Sequence, residues 1–241
     1  MTVIRSGKIP YDTEVLLLCG GAGTRLREAV KDRPKPLADI NGRPFLDIII
    51  DFFSQQGLKR YLLLAGYMGH IMQEYAARKK MEMRLDISCV IENMPLDTGG
   101  AIKHAEPYIT SDVFFVANGD TLCQTNLNDF YQYHNKKNAM ITMLLNRFSG
   151  TEDYGKVHID ENGSVLSFIE KQVTPGKGYA NAGVYVMNKS LLTEIPGCTK
   201  YSLEKEFFPS LVGKSFYGYV IDDPHLDIGT PERYLQANRC L

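Results

Sequence analysis

Three glycines, Gly20, Gly21 and Gly23, interrupt the chain after an apolar run that ends at Cys19, and Thr24 and Arg25 follow at once. Lys35 comes ten residues after Arg25, held between Pro34 and Pro36. Glycine reaches positive φ at no steric cost and lets backbone N–H groups approach an anion closely. Arg25 offers a planar fork of donors and Lys35 a compact point charge. Bare donors at a strand end, with two cations on constrained loops, suit a polyphosphate. A nucleoside triphosphate is the expected ligand.

Two better-known phosphate loops do not fit. The string G-x-x-x-x-G-K-[ST] occurs nowhere in the chain. A dinucleotide fingerprint needs a third glycine where Leu26 stands, and a carboxylate closing the second strand. The run ending at Ala65 passes instead into Gly66 and Tyr67.

Two carboxylates are placed to meet such a ligand. Asn118, Gly119 and Asp120 follow the apolar run 113–117, and Asp227 lies in His225-Leu-Asp-Ile-Gly229-Thr230, just before a helix start. Mg²⁺ takes hard oxygen ligands, commonly one or two carboxylates with phosphate oxygens and water. Either aspartate alone is more commonly a turn or cap residue. As a pair on the ligand side of a sheet they suit Mg²⁺.

The elements that must position these residues follow from periodicity. Runs 14–19, 61–65, 86–92 and 113–117 read as strands by length and flanks. Phe45, Ile48, Ile49, Phe52 and Phe53 recur at three and four, one face of a helix ending near Gly57. Further helices are expected over 69–80 and from Thr98 to about Glu106. This alternation predicts an α/β fold with a mostly parallel, Rossmann-like sheet and helices on both faces. Ligands then bind beyond the carboxyl ends of the strands.

Past residue 138 the rhythm changes. Strands are expected over 139–145, 156–160, 164–170, 178–187 and 216–221, with Glu161-Asn162-Gly163 turning a hairpin. Ser202 is expected to cap a short helix over 203–208, and Thr230-Pro231 to open the last one. The reading is one domain of two functional halves, about 14–138 for nucleotide and about 139–241 for sugar, the latter an added antiparallel lobe.

Composition supports a globular domain able to bury a full core. The 241 residues are 44% hydrophobic and 23% charged, with a formal charge of -1. No basic block points to nucleic acid, and no run approaches the ~18 apolar residues of a membrane span. Arg5 and Lys8 are followed by no apolar signal segment. Five widely spaced cysteines without a C-x-x-C pair fit reduced thiols, so the cytoplasm is the expected location. The five histidines show no ligand spacing and read as surface or packing residues. Oligomeric state is left open, with a homo-oligomer allowed.

Gly20-Gly21-x-Gly23-Thr24-Arg25-Leu26, followed by Pro34-Lys35-Pro36-Leu37, resembles the signature of the sugar-1-phosphate nucleotidyltransferases. The resemblance implies a transferase that joins a nucleoside triphosphate to a sugar 1-phosphate and releases pyrophosphate. It implies metal positions at Asp120 and Asp227, and catalytic roles for Arg25 on pyrophosphate and Lys35 near the α-phosphate. Leu18, Gly20, Gly21, Gly23, Thr24 and Asn118 would line the nucleotide site. Glu170 and Asn181, with Ala182 beside it, match positions that hold sugar hydroxyls. Lys171 matches a sugar-phosphate position, and Tyr154-Gly155 one where backbone meets the sugar.

Leu96-Asp97-Thr98-Gly99-Gly100 resembles the family's base loop, with Asp97 where glycine is usual. Before it stands Glu92. A carboxylate only accepts hydrogen bonds, and the pairing edge of guanine offers two adjacent donors. GTP is therefore the expected donor. Residues 43–47, 97–103, 201–209 and 217–220 further resemble one branch, the heptose 1-phosphate guanylyltransferases, with mannose 1-phosphate guanylyltransferases close behind and uridylyl or thymidylyl transfer further off. A non-catalytic nucleotide-binding subunit is the alternative class. The presence of Arg25, Lys35, Asp120 and Asp227 argues against it.

Overall fold

A computed structural model describes residues 8–150, 155–170, 176–222 and 225–241 of the chain. The first half contributes β1 (Glu14–Leu18), a small ribbon of β2 (Asp39–Ile40) and β3 (Arg43–Pro44), α1 (Phe45–Gln55) and β4 (Arg60–Ala65). Next come α2 (Gly69–Met83), β5 (Asp86–Ile91), α3 (Asp97–Ala105), β6 (Val113–Asn118), β7 (Thr121–Cys123) and α4 (Leu127–Lys136). The second half adds β8 (Ile141–Gly150), β9 (Lys156–Ile159), β10 (Val165–Ile169) and β11 (Gly176–Asn188). It closes with α5 (Phe208–Leu211), β12 (Phe216–Ile221), β13 (His225–Asp227) and α6 (Pro231–Cys240).

β5, β4, β1 and β6 lie side by side in parallel. β11 joins β6 antiparallel, β8 joins β11, and the β9–β10 hairpin attaches to β11. Both halves thus share one nine-stranded sheet. One strand departs from the expected antiparallel lobe. β12 pairs β8 in parallel, Phe216 opposite Ile141.

The sheet is buried on both faces, and the period-two alternation of its strands sorts side chains accordingly. Val15, Leu17, Phe115 and Ala117 pack with Phe45, Ile49, Phe53, Met72, Phe130 and Ala237 on one face. Leu16, Phe114 and Val116 pack with Ile102, Leu203, Phe207 and Phe208 on the other. Each large side chain so buried contributes about 1.5–3 kcal/mol.

Local chemistry sets the turns. Asp160 Oδ1 accepts from the N–H groups of Asn162 (2.9 Å) and Ser164 (2.8 Å), closing the expected hairpin. Thr230 Oγ1 accepts from Arg233 N at 3.3 Å and caps α6. Ser202 caps a five-residue π-turn over Leu203–Phe207, ahead of α5, rather than an α-helix. α4 is an element that the sequence reading lacked. Asn126 caps it, accepting from Asn128 N and Asp129 N, and Leu127, Phe130, Tyr131 and His134 form its buried face.

Candidate active site

Two adjoining cavities open at the carboxyl ends of β1, β4 and β6. The larger, about 650 Å³, is lined by Leu18, Gly20, Gly21, Gly23, Glu92 and Thr98 among others. The smaller, about 330 Å³, is lined by Arg25, Gly155, Glu170, Asn181, Ala182 and Asp227 among others. Lys35, Asp97, Thr98, Asn118, Asp120 and Glu204 border both. The phosphate loop and the expected sugar residues therefore face each other across Lys35 and Asp120.

β1 and β6 deliver the junction. Gly119 N donates to Leu18 O at 3.0 Å, which ties the two strand ends together just before Asp120. Asp120 is ion-paired with Lys35 and accepts from Thr121 Oγ1 at 3.1 Å. Burial alone would raise its carboxyl. The Lys35 ammonium and the Thr121 hydroxyl outweigh that and hold it below the ordinary aspartate value. Cys19 lines the larger cavity, but burial pushes its thiol well up, so it keeps its proton.

Asp227 reaches this place on a ribbon absent from the sequence reading. β13 pairs β7 antiparallel, with Asp227 opposite Thr121, and Ile228 N donates to Asp120 O at 3.1 Å. Asp227 Oδ1 accepts from Gly229 N at 2.8 Å, and Arg233 Nη1 lies 3.0 Å from Oδ2.

At the far end of the larger cavity, Glu92 extends from β5 between Gly20 and Gly66. A Cβ on Gly66 would lie 2.5 Å from Glu92 Oε1, so only glycine admits the carboxylate there. Its other oxygen accepts from Leu96 N at 3.3 Å. Burial raises the Glu92 carboxyl, and the Leu96 hydrogen bond partly offsets that. Asp97 takes the left-handed conformation, φ 62°, that a glycine would supply, and its Oδ1 accepts from Thr98 N at 2.9 Å. Asp is among the few non-glycine residues that tolerate it.

On the sugar side a register shift in β11 between Asn181 and Tyr185 aims Asn181 and Ala182 into the smaller cavity. Asn181 donates to Tyr185 OH (2.8 Å), accepts from Gly183 N (2.9 Å) and is thereby fixed. Asn118 lies against Gly183, where a Cβ would come within 2.6 Å of its Nδ2.

Not every expected residue faces a cavity. Thr24 lines neither. Gly99 and Gly100 are buried in α3, against Tyr201 and the Thr199 carbonyl, so their lack of side chain serves packing in this structure. Tyr154 and Lys171 lie outside the described residues. Conversely, Ser202, Glu204, Lys205, His225 and Arg233 line the smaller cavity unanticipated. Glu204 Oε2 accepts from Thr98 Oγ1 (2.7 Å) and Ser202 Oγ (3.0 Å), linking the base loop to the 201–209 segment. That segment was distinctive in the sequence, but nothing in its residue types said which cavity it would border. His225 read as a surface or packing residue because its alternation with Asp227 on one strand was not visible.

A mostly parallel α/β sheet, a glycine loop and two cations at its carboxyl edge, and a carboxylate pair lining the smaller cavity define a nucleotide-binding transferase class. The chain belongs to the nucleotidyl transferase family, whose pattern matches residues 14–241. It is 34% identical over 92% of its length to D-glycero-alpha-D-manno-heptose 1-phosphate guanylyltransferase of Campylobacter jejuni, covering 96% of that protein. It is 31% identical over 95% of its length to mannose-1-phosphate guanylyltransferase of Mycobacterium tuberculosis, covering 64% of it. The crystal structure of HddC from Yersinia pseudotuberculosis complexed with GMP-PN superposes with a TM-score of 0.83 at 32% identity, over 94% of this chain and 98% of that one. Among the described residues no helix is long and apolar enough to cross a membrane.

Proposed function

We propose that the chain transfers GMP from GTP to D-glycero-α-D-manno-heptose 1-phosphate, giving GDP-heptose and pyrophosphate. The observation that carries this is the meeting of the two cavities at Lys35 and Asp120, as a triphosphate and a sugar phosphate bound end to end would require. The two similar guanylyltransferases and the GMP-PN complex support guanine as the base.

In this reading a sugar-phosphate oxygen attacks the α-phosphorus in line. A new P–O bond forms, the α–β bridge breaks, and pyrophosphate leaves with the electron pair. The attacking phosphate is already ionised near neutral pH, so no general base is required. Catalysis reduces to positioning and charge neutralisation. Lys35 stabilises charge at the α-phosphate and Arg25 holds pyrophosphate. Glu92 accepts from the guanine N1–H and N2–H, while Glu170 and Asn181 bind sugar hydroxyls. Two carboxylates beside phosphate oxygens are the donor set Mg²⁺ favours, so Asp120 and Asp227 would hold it, and the ion supplies further neutralisation of phosphate charge.

Mannose 1-phosphate is the second acceptor to consider, favoured by the similarity to the mycobacterial mannose enzyme. Pyrophosphate release measured over a matrix of triphosphates and sugar 1-phosphates tests both substrates. GTP with the heptose phosphate is expected to give the highest kcat/KM. Preference for UTP or dTTP would remove the role of Glu92, and preference for mannose 1-phosphate would reassign the acceptor.

A further inference from the structure

Each aspartate at the cavity junction already holds a cation of the chain's own. Asp120 is paired with Lys35, and Asp227 with Arg233. Lys35 belongs to the phosphate loop and its function is accounted for. Arg233 is not. It stands in the first turn of α6, where its backbone N–H is satisfied by Thr230, and its guanidinium turns back over β13. Nη1 lies 3.0 Å from Asp227 Oδ2 and 3.3 Å from Oδ1. Gly229 N–H adds a second donor to Oδ1.

The pair is partly desolvated, with the Asp227 side chain 10% exposed and that of Arg233 28%. Charge attraction in such a place is screened less than at an open surface. A divalent cation approaching Asp227 therefore meets a carboxylate whose charge is already balanced and whose oxygens are both engaged. It also meets the repulsion of a fixed guanidinium. A triphosphate changes that balance. It brings several negative charges to the junction at Lys35, with Arg25 and Arg233 lining the adjoining smaller cavity, and it competes with the aspartates for those cations.

We propose that Arg233 is a positioning residue and resident counter-ion of Asp227, so that the carboxylate pair takes up a divalent cation together with the triphosphate and not before it. The inference rests on Asp120 and Asp227 being the metal carboxylates, as read above. Arg233 keeps Asp227 aimed at the junction and prevents free ions from occupying it.

The test is a titration of the full chain with Mn²⁺ and no nucleotide, following the free-ion signal by electron paramagnetic resonance. Arg233→Gln removes the charge and is expected to tighten Mn²⁺ binding about tenfold or more, as loss of one unit charge a few ångströms from a divalent ion implies. Arg233→Lys keeps the charge and is expected to bind as weakly as the parent. Arg233→Met, which keeps the aliphatic stem, replaces the Gln variant if melting curves show that one unfolded. With a non-hydrolysable guanosine triphosphate present, the gap between parent and neutral variant should narrow. A neutral variant that binds free Mn²⁺ no more tightly than the parent overturns the proposal. Asp227→Asn added to Arg233→Gln separates this from the underlying reading: the double variant is expected to lose the gained affinity, and if it binds Mn²⁺ as tightly as Arg233→Gln alone, Asp227 is not a metal ligand.

Discussion

Asp227 stands opposite Thr121 in the antiparallel β7–β13 pair, and Thr121 directly follows Asp120. Three residue pairs thus bring together two carboxylates that lie 107 positions apart in sequence. The large sheet fixes only one of them, Asp120, through β6. The other depends on a ribbon too short to stand alone, anchored by the Ile228 N–H on the Asp120 carbonyl and by α6 behind it.

Lys35→Ala and Asp120→Ala are each expected to lower kcat by about 10²–10³, the usual cost of one preorganised charge. Because the two side chains are paired, the double variant should lose less than the product of the single losses. Pyrophosphate release gives the rates and circular dichroism the folding control. Either single variant retaining near-parental kcat while folded would sink the assignment.

Much of this site was legible in the chain because its parts are local. Gly20 to Arg25 sit at a strand end that an apolar run announces, and Asp120 does the same for β6. What was hidden depends on pairings that sequence does not print. The β7–β13 ribbon is three residues a side, shorter than any periodicity can signal. α4 is marked only by Asn126 and the spacing of Leu127, Phe130 and Tyr131, and polar residues dilute its apolar face. Glu204 and Arg233 lie two and three residues after recognised helix caps, yet a cap locates a backbone and says nothing of where a neighbouring side chain points.

Glu14 links the two strands that carry the site and gives the fold an acid limit. Its carboxylate is buried at the start of β1, 1% exposed, and accepts from Thr110 N (3.0 Å), Ser111 N (2.9 Å) and both hydroxyls of that loop, which leads into β6. Arg60 lies 3.1 Å away. Burial opposes the charge, but the Ser111 and Thr110 hydrogen bonds outweigh it and leave the carboxyl below the ordinary glutamate value of 4.5. A depressed folded-state value means stabilisation that is complete above the unfolded-state value and lost as pH falls through the folded one. Glu14→Gln should therefore be less stable than the parent at pH 7, by about 1–3 kcal/mol. The difference should shrink below pH 4.5 as the parent carboxyl takes up its proton. Melting temperatures of both proteins from pH 7 to pH 3 check this, and a gap that stays constant over that range would refute it.

Asp97 poses the opposite question, since a residue with a Cβ occupies a left-handed position that favours glycine. An L-residue pays about 1–2 kcal/mol there, less for aspartate because its short side chain bonds locally. Here that bond is Asp97 Oδ1 accepting from Thr98 N, at the start of α3. Glycine removes the strain and forgoes the bond, a loss of a few tenths of a kcal/mol. Alanine keeps the strain and loses the bond. Valine adds β-branching, which the left-handed region tolerates worst. Melting temperatures should therefore fall in the order Asp97→Gly, parent, Asp97→Ala, Asp97→Val, with roughly 2–4 °C for each kcal/mol in a chain of this size. If Asp97→Gly melts below the parent, the side-chain bond outweighs the backbone strain, and if it melts below Asp97→Ala, which lacks the same bond, the left-handed conformation is not what limits this turn.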